Sequence, residues 1–231
     1  MVNYHKSSLM AVELLSNLKK YIINMEGMKN YPPKFYKGGF QMSQYTQDRQ
    51  PEPIDVVLRK NRIINLVGGV NDEMAYYICS TLLVMNEEDP KKPIQMFINS
   101  PGGSITAGLA IIDTMNFISA PVYTYATGMA ASMGAAILSA GEKGHRGILP
   151  NATVMIHQAS SGAQGNIQDM VVDLEYTKAL NDKMAELIGK NCGKTAKAYL
   201  KDTIRDKFMF AGEALDYGIV DAIIQPETLK K

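Results

Sequence analysis

The sequence predicts an α/β fold in which short buried strands alternate with helices around one core. Three observations lead to this fold class. The chain has 231 residues, of which 46% are hydrophobic, and this is ample for one domain with a sizeable core. Short apolar runs such as 94–99 (IQMFIN) have the length and composition of buried strands. Segments of helical periodicity separate these runs, and such an alternation is typical of layered α/β domains.

The individual elements are predicted from periodicity and from residues that favour strand or helix ends. Glycines end the first strand. Asp72 and Glu73 favour the first turn of the next helix, because acidic side chains interact well with a helix N-terminus. The last helix is amphipathic and the longest. In chain order we predict a strand over 62–68, a helix over 71–87, a strand over 94–99, a turn over 100–104, a helix over 105–118, a strand over 121–127, a helix over 132–141, a strand over 152–157 and a helix over 166–189.

Residues 1–53 differ from the rest and are predicted to be an N-terminal extension of a domain over 54–231. Apolar residues recur at helical spacing over 8–24, and a polar stretch rich in Tyr, Gln, Lys and Pro then leads to the sequence PEP at 51–53. A propeptide, a docking arm and a disordered tail all fit this pattern.

Composition and charge argue against several function classes. The formal net charge is +1, from 24 basic and 23 acidic residues, so the sequence lacks an electrostatic footprint for nucleic acid. No run approaches the roughly eighteen apolar residues of a spanning helix, and no signal-peptide pattern is present, so no membrane partner is expected. Cys79 and Cys192 have no metal-ligand spacing and predict no disulfide. We therefore expect no metal or other cofactor and a reducing compartment, the cytoplasm.

Ser132 is the first candidate for catalysis. It follows the predicted strand 121–127 and begins the predicted helix 132–141, so it stands at a strand-to-helix junction. The free N–H groups and the dipole of a helix N-terminus favour a developing oxyanion, which is the logic of a nucleophile elbow. The sequence here is A-x-S-x-G, however, and not G-x-S-x-G. An N-cap serine in a tightly packed helix is the alternative interpretation.

A serine nucleophile needs a general base, and the sequence offers three histidines. His5 lies in the extension. His145 lies in a polar loop (GEKGHRG), where a solvated side chain is expected. His157 ends the predicted strand 152–157 beside a segment that contains Gly and Ser, and residues at strand ends beside loops are well placed for catalysis. A structural role for His157 is the alternative.

A carboxylate that orients the histidine would complete such a site. The pattern alone does not choose among the acidic residues after His157, although Asp202 and Asp206 are both candidates for partial burial. The acidic residues are Asp169, Asp173, Glu175, Asp182, Glu186, Asp202, Asp206, Glu213, Asp216 and Asp221.

The segment 99–104 (NSPGGS) is a second strand-to-helix junction. Gly102 and Gly103 permit positive φ and bring backbone N–H groups close to a ligand. The loop can therefore donate half of an oxyanion hole or align an extended peptide. It does not match a phosphate-binding P-loop, because no G-K-[ST] follows, and a plain turn is the alternative.

Four long motifs resemble the ClpP family, the proteolytic subunits of Clp proteases. The motifs are NSPGGSITAG, GMAASMGAAILSAGEKGHR, LPNATVMIHQ and RDKFMFAGEALDYGIVDAII, in the order and spacing of the family. The resemblance covers about residues 54–225. It implies the ClpP/crotonase-like fold of repeated β-β-α units, in which the long helix over 166–189 is a protruding handle.

The resemblance also implies a role for each matching residue. Ser132 matches the family's nucleophile, His157 its general base, and Asp206 the carboxylate that orients the base. Gly103 and Met133 match the residues whose backbone N–H groups form the oxyanion hole. The implied activity is that of an ATP-dependent Clp-type serine endopeptidase.

The family further implies an assembly and a partner. Two stacked heptameric rings, a homo-oligomeric tetradecamer, enclose the active sites, and unfolded polypeptides and short peptides are hydrolysed inside the chamber. An AAA+ unfoldase feeds the chamber and uses the ATP, which the peptidase itself does not bind.

The sequence departs from the family at positions that bear on this partner and on the handle. The extension over 1–53 does not resemble the family's short axial-loop sequence, and IDVVLRKNRI is about two residues short. Gln95 stands where the family often has an aromatic residue of the unfoldase-docking pocket, although Phe97 keeps one. After His157 the chain has QASSG where Q-P-x-G-G is common. The alternatives are a ClpP-like maturation protease that acts without an unfoldase, a non-catalytic Clp ring subunit and a crotonase-type acyl-CoA enzyme.

Overall fold

The computed structural model of the protein describes residues 53–162 and 164–225. The predicted helix over 8–24 lies outside these residues, as does the rest of the N-terminal extension up to residue 52. The boundary between that extension and the domain therefore stays a prediction.

The described residues form seven helices and seven strands, and the strand–helix alternation predicted from the sequence holds from 63 to 139. The helices are α1 (Ile54–Lys60), α2 (Asp72–Glu88), α3 (Ile105–Phe117), α4 (Met133–Ser139), α5 (Ile167–Asn191), α6 (Ala196–Asp202) and α7 (Ala211–Tyr217). The strands are β1 (Ile63–Val67), β2 (Ile94–Ser100), β3 (Val122–Ala131), β4 (Arg146–Ile148), β5 (Thr153–Ile156), β6 (Lys207–Phe210) and β7 (Ala222–Ile223).

The strands pair into one mixed sheet, which confirms the predicted α/β class. Along the main path the order is β1-β2-β3-β4-β7, and each neighbouring pair on this path is parallel. β5 pairs in parallel with the distal part of β3, and β6 pairs with β5 in the antiparallel direction. The C-terminal ends of β3 and β5 therefore lie at the same edge of the sheet.

Strand β3 is longer than predicted and changes its partner along its length. Its first part pairs with β4, for example Thr124 with Arg146, whereas its last part pairs with β5, for example Ala131 with Met155. Gly128 between the two parts has a φ of 73°, a conformation that glycine adopts without steric cost. This bend lets the strand continue beyond residue 127 and end directly before Ser132.

The main core lies on one face of the sheet. Alternate strand residues such as Ile64, Met96 and Val122 are buried there together with residues of α2 to α7. The strand residues between them point to the opposite face, where Tyr123 and Tyr125 belong to a smaller cluster. This alternation follows from the pleat of a β-strand, in which successive side chains point to opposite faces.

Helix α5 contacts the core only through its C-terminal half. Met184, Ala185 and Ile188 are buried, whereas apolar residues of the N-terminal half, such as Ile167 and Leu174, are exposed. Asn166 caps the helix, because its side chain accepts the backbone N–H of Asp169. The helix therefore protrudes from the domain, as the prediction of a handle requires.

A buried ion pair joins β4 to the residue before β7. Arg146 donates from Nη2 to Asp221 Oδ1 at 2.7 Å and from Nε to Asp221 Oδ2 at 2.8 Å. The other guanidinium contacts go to the carbonyl oxygens of Ser139, Asn191 and Gly218. Burial by itself would raise the pKa of Asp221, but the hydrogen bonds and the charge of Arg146 outweigh burial and lower that pKa to about 2.

The described part of the chain offers no helix whose length and apolar character would suit a membrane span. Within the same residues, no three or more His, Cys, Asp or Glu side chains are grouped in a way that could hold a metal ion. Cys79 and Cys192 are free thiols.

Candidate active site

Ser132 lies in the tight turn between β3 and α4. Its φ of 53° and ψ of −119° are a strained conformation for a residue other than glycine. The backbone is held on both sides, because Ser132 N–H donates to Met155 O at 2.9 Å and Ser132 O accepts from Ala136 N–H at 3.1 Å. Ser132 occupies the N-cap position of α4, but its side chain makes no capping hydrogen bond. The hydroxyl is therefore available for another partner, and the predicted start of the helix shifts to Met133.

The turn around Ser132 is tight enough to require glycine next to it. A Cβ on Gly102 would lie 2.5 Å from Ser132 Cβ and 2.9 Å from Ala131 O. The Gly102 loop is fixed by Ser100, whose hydroxyl donates to Gly68 O at 2.6 Å and accepts from Gly102 N–H at 3.1 Å. The two strand-to-helix junctions found in the sequence thus meet at Ser132.

His157 is the residue that contacts the free hydroxyl of Ser132. The distance between His157 Nε2 and Ser132 Oγ is 2.9 Å, which is a hydrogen bond. The contact follows from the sheet, because β3 and β5 are neighbours in parallel register and end at the same edge. His157 immediately follows β5, and its side chain is 27% exposed.

Asp206 lies on the other side of the imidazole ring. Its Oδ1 is 3.5 Å from His157 Nδ1, and its side chain is 60% exposed. The antiparallel register of β5 and β6 pairs Ile156 with Lys207, and its continuation places His157 opposite Asp206. A separation of 3.5 Å is longer than a normal N–H···O hydrogen bond, so the pair is close but not tightly joined.

Two other acidic candidates from the sequence have different partners. Asp202 accepts a hydrogen bond from the Tyr217 hydroxyl at 3.0 Å, and Asp221 belongs to the buried pair with Arg146. Burial, followed by the hydrogen bond and charge of Asp202, raises the pKa of Tyr217 far above its usual range. Asp206 is the carboxylate that the fold brings to His157.

The backbone N–H groups of Gly103 and Met133 lie at the two junctions beside Ser132. In the bridge between Val70 and Gly103, Val70 N–H donates to Gly102 O and Ser104 N–H donates to Val70 O, each at 2.8 Å. This pattern turns the N–H of Gly103 itself away from Val70. Met133 is the first residue of α4, and the first N–H groups of an α-helix have no acceptor within the helix.

A small cavity of ≈ 30 Å³ adjoins Ser132 and His157. Its walls are mainly apolar, and they come from α3, α4, α5 and α6. The residues that line it beside Ser132 and His157 are Ile105, Met133, Gln158, Ala159, Asn181, Met184, Ile188 and Tyr199. Burial raises the pKa of the Tyr199 hydroxyl well above its usual value, so this phenol stays neutral.

The remaining histidines lie away from this cluster. His145 stacks on Tyr123 with 3.9 Å between ring centroids, so it is not the solvated side chain that its polar loop suggested. His5 lies outside the described residues. His157 is thus the histidine that the described structure brings to Ser132.

Sequence reasoning missed two contributors to this site. Asn181 on α5 lines the cavity and accepts a hydrogen bond from Ala159 N–H at 3.0 Å. Nothing in the sequence distinguishes this asparagine from other polar residues of an amphipathic helix. The close packing of Gly102 against Ser132 was also not visible, because it depends on two loops 30 residues apart meeting in space.

A serine at a strained elbow, hydrogen-bonded to a histidine, is the arrangement of a nucleophile with its general base. The family model described as Clp protease matches residues 47–227. The match covers more than half of the chain, and the chain therefore belongs to the Clp protease family. This confirms the predicted family and fold and makes the chain a ClpP-type peptidase. The match begins inside the predicted extension 1–53.

Proposed function

We propose that the chain is a serine endopeptidase in which Ser132 attacks the peptide carbonyl. The observation that carries this proposal is the 2.9 Å hydrogen bond between Ser132 Oγ and His157 Nε2 at the elbow. His157 takes the hydroxyl proton as Ser132 attacks and later gives it to the leaving amine. Water then hydrolyses the acyl-enzyme.

In this proposal Asp206 orients the imidazole of His157 and stabilises its protonated form. The 3.5 Å separation and the exposure of Asp206 fit an acid that approaches its histidine when substrate binds or subunits assemble. Catalytic hydrogen bonds are often long in ligand-free enzymes and tighten in the reacting complex.

The proposed oxyanion hole consists of the N–H groups of Gly103 and Met133. Both belong to rigid turns that converge on Ser132, and Met133 is further held by its buried side chain, which packs against Gly108. Fixed donors of this kind stabilise the negative charge of a tetrahedral intermediate without having to reorganise.

The apolar cavity supports a preference for substrates with an apolar side chain next to the scissile bond. Met133, Met184 and Ile188 contribute apolar walls, and the cavity begins at the reacting hydroxyl. Thioether side chains adapt their shape, so several apolar side chains of different shape are expected to be accepted.

The proposal extends to the assembly. Stacked heptameric rings would enclose the sites, and an AAA+ unfoldase that uses ATP would deliver unfolded polypeptides in the cytoplasm, with no cofactor bound by the peptidase. The exposed apolar residues Ile167, Val171 and Leu174 share one face of α5, at positions i, i+4 and i+7, and support burial of this helix between subunits, because contiguous exposed apolar surface marks interaction sites.

Gln95 favours a second candidate, a ClpP-like maturation protease that acts without an unfoldase. It occupies the position of a common docking aromatic, and its side chain is buried with no hydrogen-bond partner found for Oε1 among the described residues. Degradation of an unfolded tagged protein with and without an unfoldase and ATP separates the two candidates. Stimulation by the unfoldase supports the Clp subunit, and its absence from an active ring supports the maturation protease.

The peptidase proposal is tested with fluorogenic peptides and three proteins: the wild type, Ser132→Ala and the control Ser160→Ala. Ser160 is exposed and lies three residues after His157, so its loss should change little. We expect Ser132→Ala to lower kcat by about 10⁴-fold or more, while Ser160→Ala keeps wild-type activity. Hydrolysis that survives in Ser132→Ala, or an assembled wild type without activity, would refute the proposal.

A further inference from the structure

Among the described residues that follow His157, one hydrogen bond ties the backbone to helix α5. Ala159 N–H donates to Asn181 Oδ1 at 3.0 Å. Of the described residues between His157 and Asn166, Ala159 is the one with a hydrogen bond to another element. The residues just beyond it, 160–162, are exposed. Among the described residues between β5 and α5, this contact therefore joins the backbone to the packed part of the domain.

Asn181 is held firmly enough to serve as an anchor. It lies where α5 meets the domain, since Leu180 packs against the core and Met184 is buried one turn later. It is half-buried and lines the same cavity as Ser132 and His157. A side-chain oxygen on a packed helix thus fixes a backbone N–H two residues away from the imidazole.

The other support of His157 is weaker. Asp206 lies 3.5 Å from Nδ1, outside normal hydrogen-bond distance, and most of its side chain is exposed. The direction in which the imidazole points at Ser132 therefore depends strongly on the backbone over 157–159.

We propose that Asn181 is a positioning residue that holds His157 in line with Ser132 by fixing the backbone at Ala159. The inference rests on the proposed roles of Ser132 and His157. Asn181 hydrogen-bonds to neither of the reacting atoms and acts through the segment that it restrains.

The residue at position 159 fits this role. Alanine has an N–H to donate, whereas a proline at this position would have none. A proline ring fixes its own φ and limits the conformation of the residue before it. In this chain a hydrogen bond to α5 supplies the restraint that a proline would supply through its ring.

The test compares Asn181→Leu, which removes the acceptor, with Asn181→Asp, which keeps an acceptor oxygen. Asp182→Ala is the matched control, because Asp182 is the exposed neighbour of Asn181 on the same helix. Two rates are measured: kcat for a fluorogenic peptide, and inactivation by a small fluorophosphonate. The second rate reports the alignment of Ser132 and His157 and does not need the peptide to fill the cavity.

We expect Asn181→Leu to lower both rates by about tenfold, the equivalent of one lost hydrogen bond, and to change KM less than twofold. Asn181→Asp and Asp182→Ala should both stay within about twofold of the wild type, because Asn181→Asp keeps an acceptor oxygen and Asp182 makes no contact with Ala159. Fluorophosphonate inactivation at the wild-type rate in Asn181→Leu would overturn the proposal, because Asn181 would then act only through the cavity. Loss of both rates in Asn181→Asp as well would also overturn it.

A double-mutant cycle with Ala159→Pro identifies the partner. Proline removes the donor, so Asn181→Leu should cost less than about twofold in the Ala159→Pro background if the two residues act through this one contact. A full tenfold loss in that background would overturn the proposal. An inactive wild type would instead count against the proposed peptidase function, so the two failures are distinguishable.

Discussion

Two ion pairs of this domain each contain an aspartate, and they differ in the distance between the partners and in the exposure of their side chains. Asp221 meets Arg146 at 2.7 Å, and their side chains are 14% and 1% exposed. Asp206 meets His157 at 3.5 Å, and their side chains are 60% and 27% exposed. The buried carboxylate is fixed by several donors, whereas the exposed one has room to move. Asp221 therefore holds the fold together, whereas Asp206 can adjust its position at the candidate site.

The largest expected effect is on stability, from Asp221→Ala. This change leaves the Arg146 guanidinium buried without its counter-charge, and breaking a buried pair in this way costs about 3–5 kcal/mol. Urea denaturation at a fixed subunit concentration measures the free energy of unfolding. Asp216→Ala is the control, because Asp216 is an exposed aspartate nearby in the chain. A loss for Asp221→Ala no larger than for Asp216→Ala would mean that the buried pair does not hold the fold.

The next effect is on activity, from Asp206→Ala. Removal of the orienting carboxylate should lower kcat by about 100-fold, near the lower end for acid–base contributions, since the pair is loose. The free energy of unfolding should change by less than about 1 kcal/mol, because exposed ion pairs contribute little. Peptide hydrolysis and urea denaturation of the same preparation measure both quantities. If Asp206→Ala lowered the free energy of unfolding together with kcat, Asp206 would have a structural role like that of Asp221.

The smallest effect is the acid sensitivity that the low pKa of Asp221 confers. The pKa in the folded protein, about 2, lies below the ordinary value of 3.8, so the carboxylate stabilises the fold when ionised. Its contribution, on the order of 2 kcal/mol, is complete above the unfolded pKa and disappears as the pH falls toward 2.

Denaturation of the wild type and Asp221→Asn over about pH 5 to 2 isolates this contribution, because the variant has no carboxylate at position 221 to be protonated. The wild type should lose more stability than Asp221→Asn over this range. Equal acid sensitivity of the wild type and Asp221→Asn would contradict the assigned ionisation.

Much of this fold was predictable, because long elements carry a clear periodicity. The predicted helix over 71–87 corresponds to α2 at Asp72–Glu88, and the predicted strand over 94–99 corresponds to β2 at Ile94–Ser100. The short strands β4, β6 and β7 were not predicted. They have two to four residues, too few for a period to appear, and they are strands only because the sheet pairs with them.

The candidate site was predictable in part for similar reasons. Junction patterns and the few histidines pointed to Ser132 and His157, but the residue pattern did not choose Asp206. That choice depends on an antiparallel register between β5 and β6, which lie about 50 residues apart, and only the family resemblance indicated it. The positive φ of Ser132 and the contact of Ala159 with Asn181 arise from tertiary packing, which no local pattern encodes.

Mass spectrometry of the fluorophosphonate-treated protein shows whether Ser132 is a nucleophile that His157 activates. We expect one adduct per subunit, on the peptide that contains Ser132, and a labelling rate at least 100-fold lower in His157→Gln, because the general base is lost. An adduct on another residue, or undiminished labelling of Ser132 in His157→Gln, would show that Ser132 is not a nucleophile activated by His157.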